Sequence, residues 1–300
     1  MDAPLVLVGT KDGLIALGSD TARLPGREID HVQVADDLMW IVSDGRAVWR
    51  GPVSGDPSLV AELSDERPNC LLVTDDRVLV GASNAALFEL DGDQVVRVAS
   101  FDATPGRDAW YTPWGGPPDI RSMASGPEGN LYVNVHVGGV VRSTDEGATW
   151  VDTMDIHADV HQVIADPTRA GYAYAATARG LAVTTTGGNE WSFVTDGLDA
   201  AYCRAVAIGA DSIILSAAHG PGGNRSAVYR RPLDGGRFER CTAGLPEWFS
   251  SNVDTFCLAA GRGFIAAADP SGTVYTSQDD GVTWAEAADG LPGARCLVIV

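Results

Sequence analysis

Seven places along the chain repeat one pattern: an apolar residue, a polar residue, then alternation. The polar position is held by Asp30, Asn69, Arg121, His161, Arg204, Asp254 and Arg295. Six of these seven side chains are ionisable. An arginine fork accepts a carboxylate bidentately. Three arginines and a histidine, set against two aspartates, therefore suit a small polar ligand that is anionic or carries a carboxylate. The same residues would also arise if Arg–Asp pairs simply neutralised one another, and that alternative stays open here.

Other chemistry-bearing residues fall nearby in the pattern. His136, His157 and His219 sit in turns or loops that the pattern places at the same edge as His161. A mononuclear divalent metal held by His136, by His157 or His161, and by His219 is one use of that set. His157 and His161 are four apart around Asp159, but they straddle a loop and a strand start, so helical metal-pair logic does not apply. For acid–base work His161 and Tyr202 are the candidates, with Asp254 or Asp119 as the orienting carboxylate. The 102–118 segment contains DAWYTPWGGPPD, which sets Trp110, Tyr111 and Trp114 among proline and glycine and reads as a stiff aromatic lid. Trp248 adds a further aromatic in EWFSSN.

These residues must be positioned by repeated elements. STDEGATW (143–150), TTTGGNEW (184–191) and SQDDGVTW (277–284) share the frame S/T-x-D-x-G-x-x-W, broken once where Thr186 replaces the aspartate. Phe238 stands between the last two tryptophans, and the aromatic positions are spaced by 41, 47 and 46 residues. Leu198, Leu245 and Leu291 each follow a glycine, seven residues after Trp191, Phe238 and Trp284; in the remaining unit His157 holds that place. Within 160–194 the alternation and turn glycines mark four short strands, VHQVIA, YAYAAT, GLAVTT and EWSFV, labelled a to d. The same order fits 119–153, 202–241 and 253–287, and more loosely 30–63 and 68–101. RCLVIV (295–300) reads as an orphan strand a whose b and c strands are the N-terminal LVLVGT and GLIAL. The expectation is an all-β, seven-bladed β-propeller over residues 1–300, a single domain with one blade closed by the N- and C-terminal strands. Closure of that kind removes exposed sheet edges.

The three tryptophan-ended turns resemble the Asp-box (BNR) repeat of sialidases, sortilin-type receptors and photosystem II assembly factors. The resemblance implies that each box is the c–d turn, with its aspartate capping the turn backbone, so Asp145 and Asp279 are structural. It also implies that strand a lines the channel and that any active site lies on the d–a/b–c face, opposite the boxes. Sialidases carry an Arg-Ile-Pro signature on a six-bladed fold. Here Arg23-Leu24-Pro25 is the nearest tripeptide, and seven blades argue against true sialidase activity. If the protein is an enzyme, the resemblance and the site residues point to a hydrolase or lyase. The rival is a non-enzymatic scaffold that binds a protein partner.

Composition narrows the partners. A net charge of −19 repels phosphate backbones, which disfavours nucleic acid and anionic membranes. No apolar run reaches the length of a membrane-spanning helix. The start of the chain has no signal-peptide pattern, and five cysteines without CxxC spacing suggest reduced thiols, so a cytoplasmic setting is expected.

Overall fold

The computed structural model describes residues 4–92, 94–112, 115–261 and 263–300. Their strands form seven four-stranded antiparallel sheets, each a meander in simple a-b-c-d order. The protein is a seven-bladed β-propeller. One blade is composite, in the order Ala294–Ile299, Val6–Thr10, Gly13–Ala16 and Ala22–Arg23. Leu7 opposes Val298 and Val8 opposes Leu297 in its a–b pair, as the split-blade reading requires.

Contacts group the chain into two compact units. The first takes Met1–Val32, Ala178–Leu181 and Val194–Val300. It holds the composite blade and the blades spanning 202–240 and 258–288. Val8, Ala205, Ile214, Phe249, Ile265 and Leu297 belong to one buried cluster there. The second takes Gln33–Thr177 and Ala182–Phe193. It contains the 68–97 and 120–152 blades and most of those spanning 29–62 and 160–194. Its buried clusters include one around Val140, Ala158 and Val163 and another around Val42, Leu71 and Val80. The inner strands, such as Leu131–Val135, Ala173–Thr177 and Ser212–Ala218, are buried at every residue, so successive side chains pack on both faces of the sheet.

The tryptophan-ended turns are built from their own side chains. Ser143 Oγ donates to Asp145 Oδ1 at 2.8 Å, and Asp145 also accepts from Thr149 N at 2.8 Å and Thr149 Oγ1 at 2.6 Å. Trp150 Nε1 closes the turn on Gly147 O at 3.1 Å. Ser277, Asp279, Thr283 and Trp284 repeat every one of these bonds. Hydrogen bonds from Thr283 hold the Asp279 carboxyl down at about 2. A side-chain oxygen that caps a turn backbone is ordinary Asx chemistry, so these aspartates are structural in this fold. At Thr186 the backbone bond survives, from Glu190 N at 3.1 Å, with a longer 3.4 Å contact to Thr184 Oγ1, but the hydroxyl bond from residue 190 is lost.

Two of the three Gly-Leu glycines also have a local cause. Gly197 and Gly244 take φ of +91° and +88°, and a Cβ on either would collide with the carbonyl oxygen of Phe238 or Trp284. Phe238 N and Trp284 N in turn donate to Asp196 O and Ala243 O. Any side chain at these two glycines would break that seam.

The repeated polar position turns out to be a β-bulge. Register skips Asn69, Arg121, His161 and Arg295 at the starts of their strands, and skips Arg204 together with Ala205. A bulged residue leaves the ladder, and its side chain is re-aimed. Asp254 departs from the expected pattern. Its strand begins at Leu258, not at 253, because Phe256 adopts φ 66°. A left-handed residue interrupts an extended ladder, so Asp254 belongs to the preceding loop.

Candidate functional site

In the second unit, three elements bring His136, Asp159 and His161 together. His136 follows the b strand Leu131–Val135, and its backbone N–H donates to Asp119 O at 2.9 Å. The next residue, Val137, is β-branched yet takes φ 52°, a conformation rare for such side chains. Asp159 also has a left-handed backbone, φ 51° and ψ 74°, between the fully buried Ala158 and Val160. Those two apolar anchors fix the segment, and the strand then opens on the bulged His161. Strain of this kind persists only where neighbours over-determine it, and it gathers at sites.

The geometry is tight. His136 Nε2 lies 3.0 Å from Asp159 Oδ1, and His161 Nε2 lies 3.6 Å from Asp159 Oδ2. The two imidazoles are 6.2 Å apart between centroids. His161 is 0% exposed and His136 4%, while the Asp159 side chain keeps 30% exposure. Burial alone would raise the Asp159 carboxyl. The hydrogen bonds and charge of the two histidines outweigh it and hold that carboxyl well below its usual range. Asp119, beside this turn, shifts the opposite way: burial raises it against the opposing influence of Arg121, His136 and Arg67.

The aromatic segment packs on the same turn. Tyr111 N donates to Val137 O at 3.4 Å. A Cβ at Gly138 would sit 3.1 Å from the Trp110 ring, so the ring lies directly against that backbone. Trp110 is buried, with the Arg107 guanidinium 5.2 Å over its ring and Phe101 5.8 Å away. Tyr111 stays 41% exposed. Its hydroxyl meets His157 Nδ1 at 3.4 Å and its ring meets the imidazole edge-on at 6.2 Å. Asp155 caps the short turn that presents His157. Trp114 lies outside the described residues.

The first unit disposes of its candidates differently. Arg204 donates two 2.8 Å bonds to Asp254, and a third, at 3.4 Å, to the Tyr202 hydroxyl. Asp254 thus serves Arg204, and the carboxylate beside His161 is Asp159. Arg295 pairs with Glu28 at 2.8 Å and Asp30 at 3.2 Å. Trp248 is sandwiched between Arg225 and Arg240, each about 4.4 Å or less from its ring. His219 binds Asp199 at 2.7 Å, and Arg225 shares that carboxylate. In the second unit Asn69 donates to Ile120 O at 3.2 Å, a structural tie between neighbouring blades.

Of the sequence-derived residues, the structure therefore gathers His136 with His161 and Tyr111 with His157. It engages Arg204, Arg295 and Asp254 in internal ion pairs. Asp159, Asp199, Glu28 and the fifth histidine, His31, were not singled out as site residues by the sequence. The available signal for Asp159 was its place between two histidines, His157-x-Asp159-x-His161.

Solved structures share this fold at low identity. An ancestral GH74 enzyme is 14% identical with a TM-score of 0.63; the match covers 95% of this chain but only 40% of that one. YCF48 bound to D1 peptide is 15% identical, TM-score 0.59, covering 95% and 84%. The Neurospora crassa Pan2 WD40 domain is 12% identical, TM-score 0.61, covering 98% and 88%. No protein-family model matches the chain, and no curated protein does. The chain is similar in fold to an enzyme, a peptide-bound protein and a WD40 domain, and fold alone does not carry function across them.

Proposed function

We propose that the protein is a ligand-binding propeller of the Asp-box type. Its site is the d–a/b–c loop edge of the blades spanning 120–152 and 160–194, and its ligand is a small polar molecule. One observation carries this reading: an exposed aromatic, Tyr111, meets His157, which sits on the same short stretch of chain as the half-open Asp159 carboxylate held between two buried histidines. Ring faces and a few convergent polar groups are the usual makings of a small-molecule site. Hydrolytic or lyase chemistry there would use Asp159 and its histidines, since Arg204 occupies both Asp254 and Tyr202. The five buried, free thiols support a cytoplasmic setting.

A second reading is a scaffold that docks a protein partner. It is favoured by the internal pairing of Arg204 and Arg295, which spends the charge that an anionic ligand would need. A thermal-shift screen separates the two readings. Chelator-treated wild type and Tyr111→Ala are compared against sugars, small carboxylates and short peptides. Stabilisation of about 5 °C or more near saturation in wild type alone supports the site. Equal stabilisation of both proteins moves the ligand elsewhere, and a response to peptides alone favours the scaffold.

A further inference from the structure

We propose that His136, Asp159 and His161 bind one divalent transition-metal ion of the zinc class, leaving at least one coordination position open toward solvent. The inference deepens the reading of this edge as a ligand site, and rests on it for any role of the metal in holding a ligand.

The donor chemistry comes first. Two imidazole nitrogens and one carboxylate are a recurrent three-ligand set for zinc and its neighbours in open sites, whereas calcium and magnesium prefer all-oxygen shells. Spacing agrees. Ligand atoms about 2.0–2.1 Å from a tetrahedral ion stand roughly 3.3 Å from one another. His136 Nε2 stands 3.0 Å from one carboxylate oxygen of Asp159 and His161 Nε2 3.6 Å from the other, on either side of that value. One ligand atom from each residue lies within 4.8 Å of the other two.

Placement agrees too. The ligands come from a b–c turn, a strand entry and a bulge, so no single helical or loop motif forces them together. Two of the three elements carry left-handed non-glycine residues, Val137 and Asp159. Such conformations need a local reason to persist, and converging three donors is one. The imidazoles are buried while the carboxylate is partly exposed, so an open position would be reached from the solvent side of Asp159. A chain of net charge −19 also concentrates cations near its surface.

The competing account is a metal-free His–Asp–His hydrogen-bonded triad, and cobalt distinguishes them. Untagged, chelator-treated full-length protein is titrated with Co²⁺ and followed by visible absorption, then competed with Zn²⁺. One Co²⁺ per chain is expected, with the d–d bands of a four- or five-coordinate nitrogen–oxygen site, and Zn²⁺ should displace it. Asp159→Asn is the informative variant, because asparagine keeps both the size and the tolerance of left-handed backbone. Losing a residue that only hydrogen-bonds a metal ligand costs about 10–100-fold in metal affinity, so deleting a ligand itself should weaken binding by more than about 100-fold. His219→Ala removes an exposed histidine and should leave binding unchanged. His161→Ala would risk the buried packing, so unchanged thermal melting of Asp159→Asn serves as the folding control.

Absence of a one-per-chain site in wild type overturns the proposal. So does equal affinity in Asp159→Asn, or loss of the site in His219→Ala. If small molecules still stabilise the chelated protein through Tyr111 while cobalt finds no site, the metal is wrong and the ligand site stands. Cobalt binding without any such ligand response gives the reverse.

Discussion

In the first unit His31 is 7% exposed, and its ring lies 4.1 Å from that of Phe256. In the second unit His161 is fully buried, and its Nε2 lies 3.6 Å from a carboxylate that a second histidine also approaches. Both side chains belong to the first residues of a strand a. Desolvation pushes His31 down to about 3, since burial strips the imidazolium of its hydration. In the second unit the neighbouring carboxylate turns a similar burial into a convergence of lone pairs. Burial of a histidine is therefore not evidence of a site; the group facing it decides. The arginines repeat the lesson. Arg204 and Arg295 stand at bulges equivalent to that of His161, yet each is paired with carboxylates within its own unit.

The largest expected effect that sharpens this contrast is a pH dependence carried by His31. Its folded pKa lies below the unfolded value, so its contribution is complete above about pH 6.5 and is lost as pH falls toward 3. The full shift corresponds to at most about 5 kcal/mol, and part of it is already lost at pH 4. Denaturant unfolding at pH 7 and pH 4 should show wild type losing a few kcal/mol more than His31→Gln. Asp279 does not confuse the comparison, because its carboxyl is lowered to about 2 and its contribution drains below about pH 4. Parallel losses in the two proteins would mean that His31 is not held neutral.

An intermediate effect is expected at Arg204. Asp254→Ala removes the partner of a guanidinium that is 17% exposed, although Asp254 itself is 43% exposed. Breaking a fully buried pair costs about 3–5 kcal/mol, and solvent screening at the exposed carboxylate lowers that to about 1–2 kcal/mol. Urea unfolding should report the loss, while cobalt binding should be unaffected. A variant as stable as wild type would show that the paired bulge is idle. Loss of cobalt binding would show that the arginine pair and the histidine cluster are not independent.

The blades were legible because their marks are local. Asp145, Gly147, Thr149 and Trp150 bond to one another within eight residues, and in two of the three Gly-Leu markers the glycine is forced by a carbonyl pressed against it. Such chemistry leaves a fixed spacing in sequence. The composite blade was legible because its strands keep the alternation of a paired sheet. The site was legible only as a recurring polar position. That the position is a bulge depends on strand pairing, and that His161 meets Asp159 and His136, rather than His157, depends on how a b–c turn meets a strand entry. His157 was diverted by Tyr111, a contact between residues 46 apart. Asp254 was misplaced because nothing in the run NVDTFCL announces that Phe256 will turn left-handed.

The smallest effect concerns the turn whose aspartate is replaced. In the complete turns one carboxylate oxygen accepts the backbone N–H four residues on, and the other accepts a threonine hydroxyl. Thr186 supplies the first bond alone. Thr186→Asp should restore a stronger, charge-assisted acceptor for Glu190 N. Its second oxygen would find no hydroxyl, because residue 190 is glutamate, and the two carboxylates would repel. The net gain should therefore be only about 0.5 kcal/mol. Adding Glu190→Thr supplies the missing donor and removes the like charge, which should bring the gain to about 1 kcal/mol. Urea unfolding of the single and double variants resolves the order. If Thr186→Asp loses stability even with Glu190→Thr, then this turn is not a depleted copy of the turns at Asp145 and Asp279, and the second unit departs from the repeat in its turns as well as in its histidines.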